Sequence, residues 1–262
     1  MKKMEFNNLL YTQEGGLGII TLNRPKAMNA LCAELTDELG ELLAYLDQNP
    51  EIRVLIITGG SKAFAAGADI TEMMDRDTLG AFSSIGKVHA VFDKLDELRV
   101  PVIAAINGPC MGGGCELSLC CDFRIAGEKA LFALPEVSLG VIPGCGGTQR
   151  LAQLIGPVKA KEMVYLCDIV KAAEALELGL VNKVVADDQV MEEARAWAAK
   201  LMARPAIALR FAKEAINCGV KTDFISGKNM ELSRFVMAFS SEDQKEGMHA
   251  FAEKRKPVYK NK

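Results

Sequence analysis

The sequence is poor in the side chains from which many catalytic centres are built. Its 262 residues include two histidines, His89 and His249, and a single tryptophan. Both histidines fall in amphipathic stretches away from any motif, which predicts surface or packing roles. No histidine–carboxylate cluster suggests a metal site. The GxSxG of a nucleophile elbow is missing, and no GK[ST] follows a glycine-rich turn, which excludes the usual nucleoside triphosphate loop. No CxxC occurs either, so neither a zinc ribbon nor a thioredoxin-like site is expected.

Excess positive charge is missing too. With 31 Lys and Arg against 34 Asp and Glu, the formal net charge is −3. Neither nucleic acid nor an anionic membrane is therefore expected as a partner. No apolar run approaches the length of a membrane span, and "MKKMEFNNLLYTQEGG" lacks the apolar core of a secretory leader. A cytoplasmic location is the expectation. The eight cysteines fit it. Cys110, Cys115, Cys120 and Cys121 crowd one apolar stretch and Cys32, Cys145, Cys167 and Cys218 are scattered, a distribution that predicts free, mostly buried thiols.

What is present is an ordinary globular composition, half hydrophobic and a quarter charged, with 23 glycines. The length suits one large domain or a domain with a helical appendage. "NNLLYT" and "LGIITLNRP" read as strands around a Glu14–Gly15–Gly16 turn, and Leu35, Leu39, Leu42, Leu43 and Leu46 mark a helix over 32–48. "VLIITGG" and "VIAAING" are buried strands, with a helix from about Leu79 to Leu98 between them. A short helix, "DFRIAG" and a strand near "ALFAL" follow the glycine triplet. Residues 158–178 read as helix, "LVNKVV" as a strand, and everything from Asp188 onward as helix. The expectation is a mixed α/β core over 1–190 and a helical region over 191–262, with a recurring strand–strand–helix theme.

Two glycine-rich loops each leave two readings open. "KAFAAGAD" at 62–69 is either a compact packing turn or a loop whose N–H groups face a ligand. "NGPCMGGGCELSL" runs from a strand into a helix start, where unpaired N–H groups and partial positive charge gather. If the two loops follow adjacent parallel strands, each can supply one N–H to the same oxygen, an oxyanion hole. Glu116 is either a carboxylate placed against its helix dipole or half of an acid–base pair with Glu136 of "LPEVSLG". "GCGGTQR" at 144–150 is another glycine-lined helix start.

Together, "TLNRPKAMNAL", "AFAAGADI", "PVIAAINGPCMGGGCELSLCCDFRIAGEKALF", "PEVSLGVIPGCGGTQRL" and "EGMHAFAEKRKP" make the chain resemble the crotonase (enoyl-CoA hydratase/isomerase) superfamily from about residue 5 to its C-terminus. The resemblance is greatest to the hydratase branch. It implies a spiral of ββα units with a helical C-terminal trimerisation region, in homotrimers or dimers of trimers. It implies reversible syn addition of water to the 2,3 double bond of a 2-enoyl-CoA, giving 3-hydroxyacyl-CoA, with no cofactor besides the CoA of the substrate. By position, Ala68 and Gly113 match the two oxyanion donors, and Glu116 and Glu136 the catalytic glutamates, as base and acid respectively. Arg24, Lys26, Ala27, Ala66, Asp69 and Ile70 match CoA contacts. Phe251 and Lys254 match a final helix that helps cover the site, and Met73, Met74, Leu139 and Ile142 lie where an acyl tail would run. The superfamily also contains isomerases, which usually lack a glutamate at the Glu116 position, hydratases of cyclic or branched acyl-CoAs, and RNA-binding relatives. Both glutamates and the net acidity favour hydration over these alternatives.

Overall fold

A computed structural model describes residues 5–262; residues 1–4, the start of the stretch read above for a leader, lie outside the described residues. β1 (Leu9–Glu14) and β2 (Leu17–Leu22) form an antiparallel hairpin in register from Leu9 opposite Leu22 to Glu14 opposite Leu17. Gly15 turns it at φ +58°, a left-handed conformation that costs glycine nothing. α1 (Ala33–Gln48) follows, with the Cys32 thiol accepting the Leu35 N–H as its cap and the five expected leucines buried.

The central strands are β3 (Val54–Thr58) and β4 (Val102–Ile106), joined by α2 (Thr78–Asp96). Both are buried along their whole length, as parallel strands covered on two faces must be. Alternation divides them between two apolar layers. Leu55, Ile57, Val102, Ala104 and Ile106 face the layer shared with α1, while Val54, Ile56, Ile103 and Ala105 face the other. After β4 the chain forms β5 (Pro109–Met111), α3 (Gly113–Leu119), β6 (Phe123–Gly127) and β7 (Leu131–Ala133). Next come α4 (Gly147–Ile155), α5 (Pro157–Tyr165), β8 (Val170–Lys171), α6 (Ala172–Glu177) and β9 (Lys183–Val185). The larger sheet has the order β1-β2-β3-β4-β6-β9, parallel after the first hairpin, and the smaller is β5-β7-β8. Successive turns of the chain thus give one strand to each sheet before a helix, as β4–β5–α3 and β6–β7–α4 do.

α7 (Val190–Met202) buries Val190, Ala194 and Ala198 against the second face of the large sheet. α8 (Ala206–Lys221), α9 (Phe224–Ala238) and α10 (Glu242–Ala252) end the helical part.

The α/β class is as expected, and three local expectations need correction. Residues 158–178 are not one helix: α5 stops at Tyr165, Cys167 takes a left-handed φ of +57°, and β8 pairs with β7 before α6 begins. Pairing to a sheet edge here overrides a helical apolar pattern. "PCM" at 109–111, expected within a turn, is β5, because it lies beside β7. The chain beyond Ala252 is not helical. Lys254 turns it at φ +55°, and Asp243 and Glu246 take the N–H groups of Lys260, Asn261 and Val258.

Candidate active site

The 62–70 and 107–113 loops leave the carboxyl ends of β3 and β4, which are neighbouring parallel strands. That is where open α/β sheets gather ligands. The loops are tied by a bridge between Ala65 and Cys110 and by the Met111 N–H to the Ala65 carbonyl, 2.9 Å. Leu31 donates to the Gly67 carbonyl at 2.8 Å and accepts the Asp69 N–H at 2.9 Å. In this parallel bridge the N–H of Ala68, the residue between, points away from Leu31. Gly113 is the first residue of α3, so its N–H has no acceptor within the helix. The two backbones adjoin: a Cβ at Gly113 would lie 3.6 Å from the Ala68 nitrogen. The two expected oxyanion donors are therefore neighbours.

Glu116 lies in the first turn of α3 and is 2 % exposed. Its Oε1 accepts the N–H groups of Cys145 and Gly147, both at 2.7 Å. Burial pushes its carboxyl above the ordinary range, opposed by those two donors, by the Cys145 thiol and by the charge of His89. Glu136 opens a short 3-10 turn over Glu136–Leu139. Its Oε1 lies against Gly112, where a Cβ would come within 2.9 Å, and its Oε2 is buried without a hydrogen-bond partner. Burial first, and then the Glu116 charge, push it up to about 7, against its own backbone N–H. A buried carboxyl oxygen without a partner is costly unless a ligand or water meets it. The pair therefore has one anchored carboxylate and one with an open oxygen and a pKa near neutrality, the arrangement acid–base chemistry uses.

The expected CoA contacts fall on two joined loops. Arg24 donates to Asp69 Oδ2 at 3.0 Å and to the Ala30 carbonyl, and Ala66 gives its N–H to the Met28 carbonyl at 3.0 Å. Asp69 also caps the turn at Thr71, and hydrogen bonds from Thr71 and Arg24 hold its carboxyl below the ordinary range. Lys26 and Ile70 are exposed and Ala27 is half-buried. Met73, Met74, Leu139 and Ile142 are all exposed apolar side chains. Phe251 is 87 % exposed on α10, and Lys254 follows that helix in a left-handed conformation.

Several contributors escape a reading of the sequence. Asn29, at φ +58°, donates from one amide to the carbonyls of Gly59, Ala63 and Phe64 and accepts the Arg24 N–H, which locks the 24–30 and 59–66 loops together. Asparagine tolerates the left-handed region, the one local hint available. Arg124 is buried on β6 and donates to the carbonyls of Ser118, Cys121 and Leu180, anchoring the C-terminal end of α3. His89 is half-buried on α2, as a packing histidine would be.

All eight cysteines are free. Among the described residues, no group of three or more His, Cys, Asp or Glu is placed to hold a metal ion, and no helix is long and apolar enough to cross a membrane.

A fold that puts two glycine-rich loops, one buried glutamate and one half-buried glutamate into one cleft defines a class. The family model for enoyl-CoA hydratase/isomerase matches residues 12–262, and the chain belongs to that family. It is 43 % identical over 262 residues to a crotonyl-CoA hydratase of Syntrophomonas wolfei, covering 99 % of this chain and all of the relative. With the mitochondrial enoyl-CoA hydratase of Pongo abelii the identity is 44 %, over 94 % of this chain and 84 % of that one. A crystal structure of a Geobacillus kaustophilus enoyl-CoA hydratase subunit superposes with a TM-score of 0.95 at 44 % identity, covering 99 % of this chain and 100 % of that one. The architecture is accordingly the crotonase spiral of ββα units.

Proposed function

We propose that this protein is an enoyl-CoA hydratase, a hydro-lyase that adds water across the 2,3 double bond of a 2-enoyl-CoA. The observation that carries the reading is the pair of glutamates beside two outward N–H groups. The family and the names of its relatives support it. The thioester oxygen accepts from Ala68 N–H and Gly113 N–H. Those donors draw electron density from the double bond and stabilise the enolate-like transition state, where fixed dipoles contribute most. Glu116, oriented by Cys145 and Gly147, takes a proton from water as the C–O bond forms at the β-carbon. Glu136 delivers a proton to the α-carbon. The reaction needs no cofactor, because CoA arrives with the substrate. Arg24, Lys26, Ala27, Ala66, Asp69 and Ile70 face the CoA moiety, and Met73, Met74, Leu139 and Ile142 the acyl tail.

The protein works in the cytoplasm, a reading supported by its free thiols, and as a homotrimer or a dimer of trimers. The assembly reading rests on the exposed apolar side chains of α8 and α9. Two intact glutamates disfavour an isomerase, and the acidic balance disfavours an RNA-binding relative.

Purified protein mixed with crotonyl-CoA should lose enoyl absorbance and yield a product heavier by one water. An unchanged mass with a moved double bond would show isomerisation instead. Glu116→Gln and Glu136→Gln should each lower kcat by about 10²-fold or more, in line with losing a general acid or base, with CoA affinity little changed. Near-wild-type turnover by either variant would remove that glutamate from the mechanism.

A further inference from the structure

The turn that holds Glu116 is itself held from outside the cleft. The Gly147 N–H that reaches Glu116 belongs to the same peptide group as the Gly146 carbonyl, and that carbonyl accepts the Arg150 N–H at 2.8 Å. The preceding carbonyl, of Cys145, accepts from Arg150 Nη1 at 3.2 Å. The main-chain bond is the ordinary first bond of α4, which any residue at 150 makes; the side chain adds a hold on the Cys145–Gly146 peptide, which lies between the two peptides whose N–H groups reach Glu116. Position 146 takes φ +94°, which favours glycine, and a Cβ there would come within 2.1 Å of Nη1, so any other residue would push the guanidinium off the Cys145 carbonyl. The other end of the fork reaches α2, donating to Asp93 at 2.9 Å and Asp96 at 3.4 Å. Asp96 in turn accepts from Asn217 at 3.3 Å and Lys221 at 2.7 Å, both on α8.

We propose that Arg150 is a positioning residue for hydration: its side chain clamps the 145–147 turn so that both N–H groups stay on Glu116, and it links that carboxylate to α2 and to α8 of the C-terminal region. The inference rests on the role of Glu116 given above and adds to it a residue that touches neither substrate nor carboxylate. Planar, two-sided bonding by a fixed fork is what arginine supplies and lysine does not. The two N–H bonds lower the Glu116 pKa, so a loosened turn moves its titration upward. The other titratable groups acting with Glu116 are His89 from α2, Glu136, Cys145 from the turn, and Cys115 and Cys120 around its own helix.

The test uses Arg150→Ala, Arg150→Lys and Asp93→Asn in the full chain. Activity of wild type and of Glu116→Gln comes first and decides the role of Glu116 by itself. The Glu116 carboxyl is then titrated without substrate by infrared difference between each variant and its Glu116→Gln double. Arg150→Ala should lower kcat for crotonyl-CoA by about 10²-fold, the scale of a small misplacement of a reacting group, with KM little changed. The Glu116 titration and the acid limb of the kcat profile should both move to higher pH. Arg150→Lys should move both the same way, and Asp93→Asn should do so by less. A folded Arg150 variant with an unshifted Glu116 titration overturns the clamp, whatever its kcat. If Arg150→Ala does not fold, the other two variants decide by the same criterion.

Discussion

Glu136 has the most informative environment of any single residue in the cleft. Its pKa of about 7 comes from burial and from the charge of Glu116, so the fold favours its protonated form. The pair then works with one shared proton, and its titration belongs to both groups. Above about pH 7 that proton is lost, and kcat/KM should fall. Because adding water takes up no net proton, hydration and dehydration should lose kcat/KM over the same range. Limbs at different pH in the two directions would sink this account. Stability carries the same signature with a definite sign. A carboxyl raised from 4.5 to about 7 binds its proton more tightly folded than unfolded, so the native state loses stability as pH rises between those values. Glu136→Gln lacks that loss. Its Tm relative to wild type should therefore climb between pH 4.5 and about 7 and level off beyond; a constant difference would contradict the raised pKa.

At the scale of elements, α3 carries both halves of the proposed chemistry, Gly113 at its first residue and Glu116 within its first turn. Its seven residues are too few to hold a helix by propensity alone. Packing and the Arg124 anchor hold it instead. Adjacent glycines here do different jobs, and substitution separates them. A Cβ at Gly114 would lie 2.3 Å from the Ala65 carbonyl oxygen, which is backbone and cannot swing aside. Gly114→Ala should lift α3 from the 62–70 loop, costing about 1–3 kcal/mol by overpacking and lowering activity with it. A Cβ at Gly113 would meet the Leu31 side chain at 3.3 Å, the Ala68 nitrogen at 3.6 Å and the Gly67 carbonyl carbon at 3.8 Å, none as close as the Gly114 contact. Gly113→Pro removes the N–H itself at the first residue of α3, a position where proline is tolerated, so kcat should fall by about 10²-fold, the scale of one lost oxyanion donor, with a smaller loss of urea midpoint than in Gly114→Ala. Equal loss of stability in both variants would refute the distinction.

For the whole molecule, the unfinished surface is the outer face of α8 and α9. Ile216, Phe224, Ile225, Leu232, Phe235 and Val236 are each about 60 to 80 % exposed. A patch of that kind marks an interaction surface, and the proposed trimer would cover it. Sedimentation should give three or six times 28.3 kDa, and Phe235→Glu should shift the protein toward monomer. A monomeric wild type would remove the assembly from the functional reading. Lys221 and Asn217 of α8 bind the same Asp96 that Arg150 reaches, so that helix also connects to the turn holding Glu116.

Sequence alone determined the central strands, the first two long helices and the candidate chemistry. Their signals are local: continuous apolar runs for β3 and β4, leucines at helical spacing for α1, and glycine runs at strand ends. It could not place β5 or β8, whose two or three residues are strands only through a partner distant in the chain. Nor could it show that Ala68 turns its N–H away from Leu31 or that Glu136 has an oxygen without a partner. Asn29, Arg124 and Arg150 read as ordinary polar residues because their acceptors are main-chain carbonyls that carry no sequence signature. Tertiary structure decided these points, because hydrogen bonding and desolvation depend on which groups meet in space, whereas helical and strand periodicity depend only on which residues follow one another.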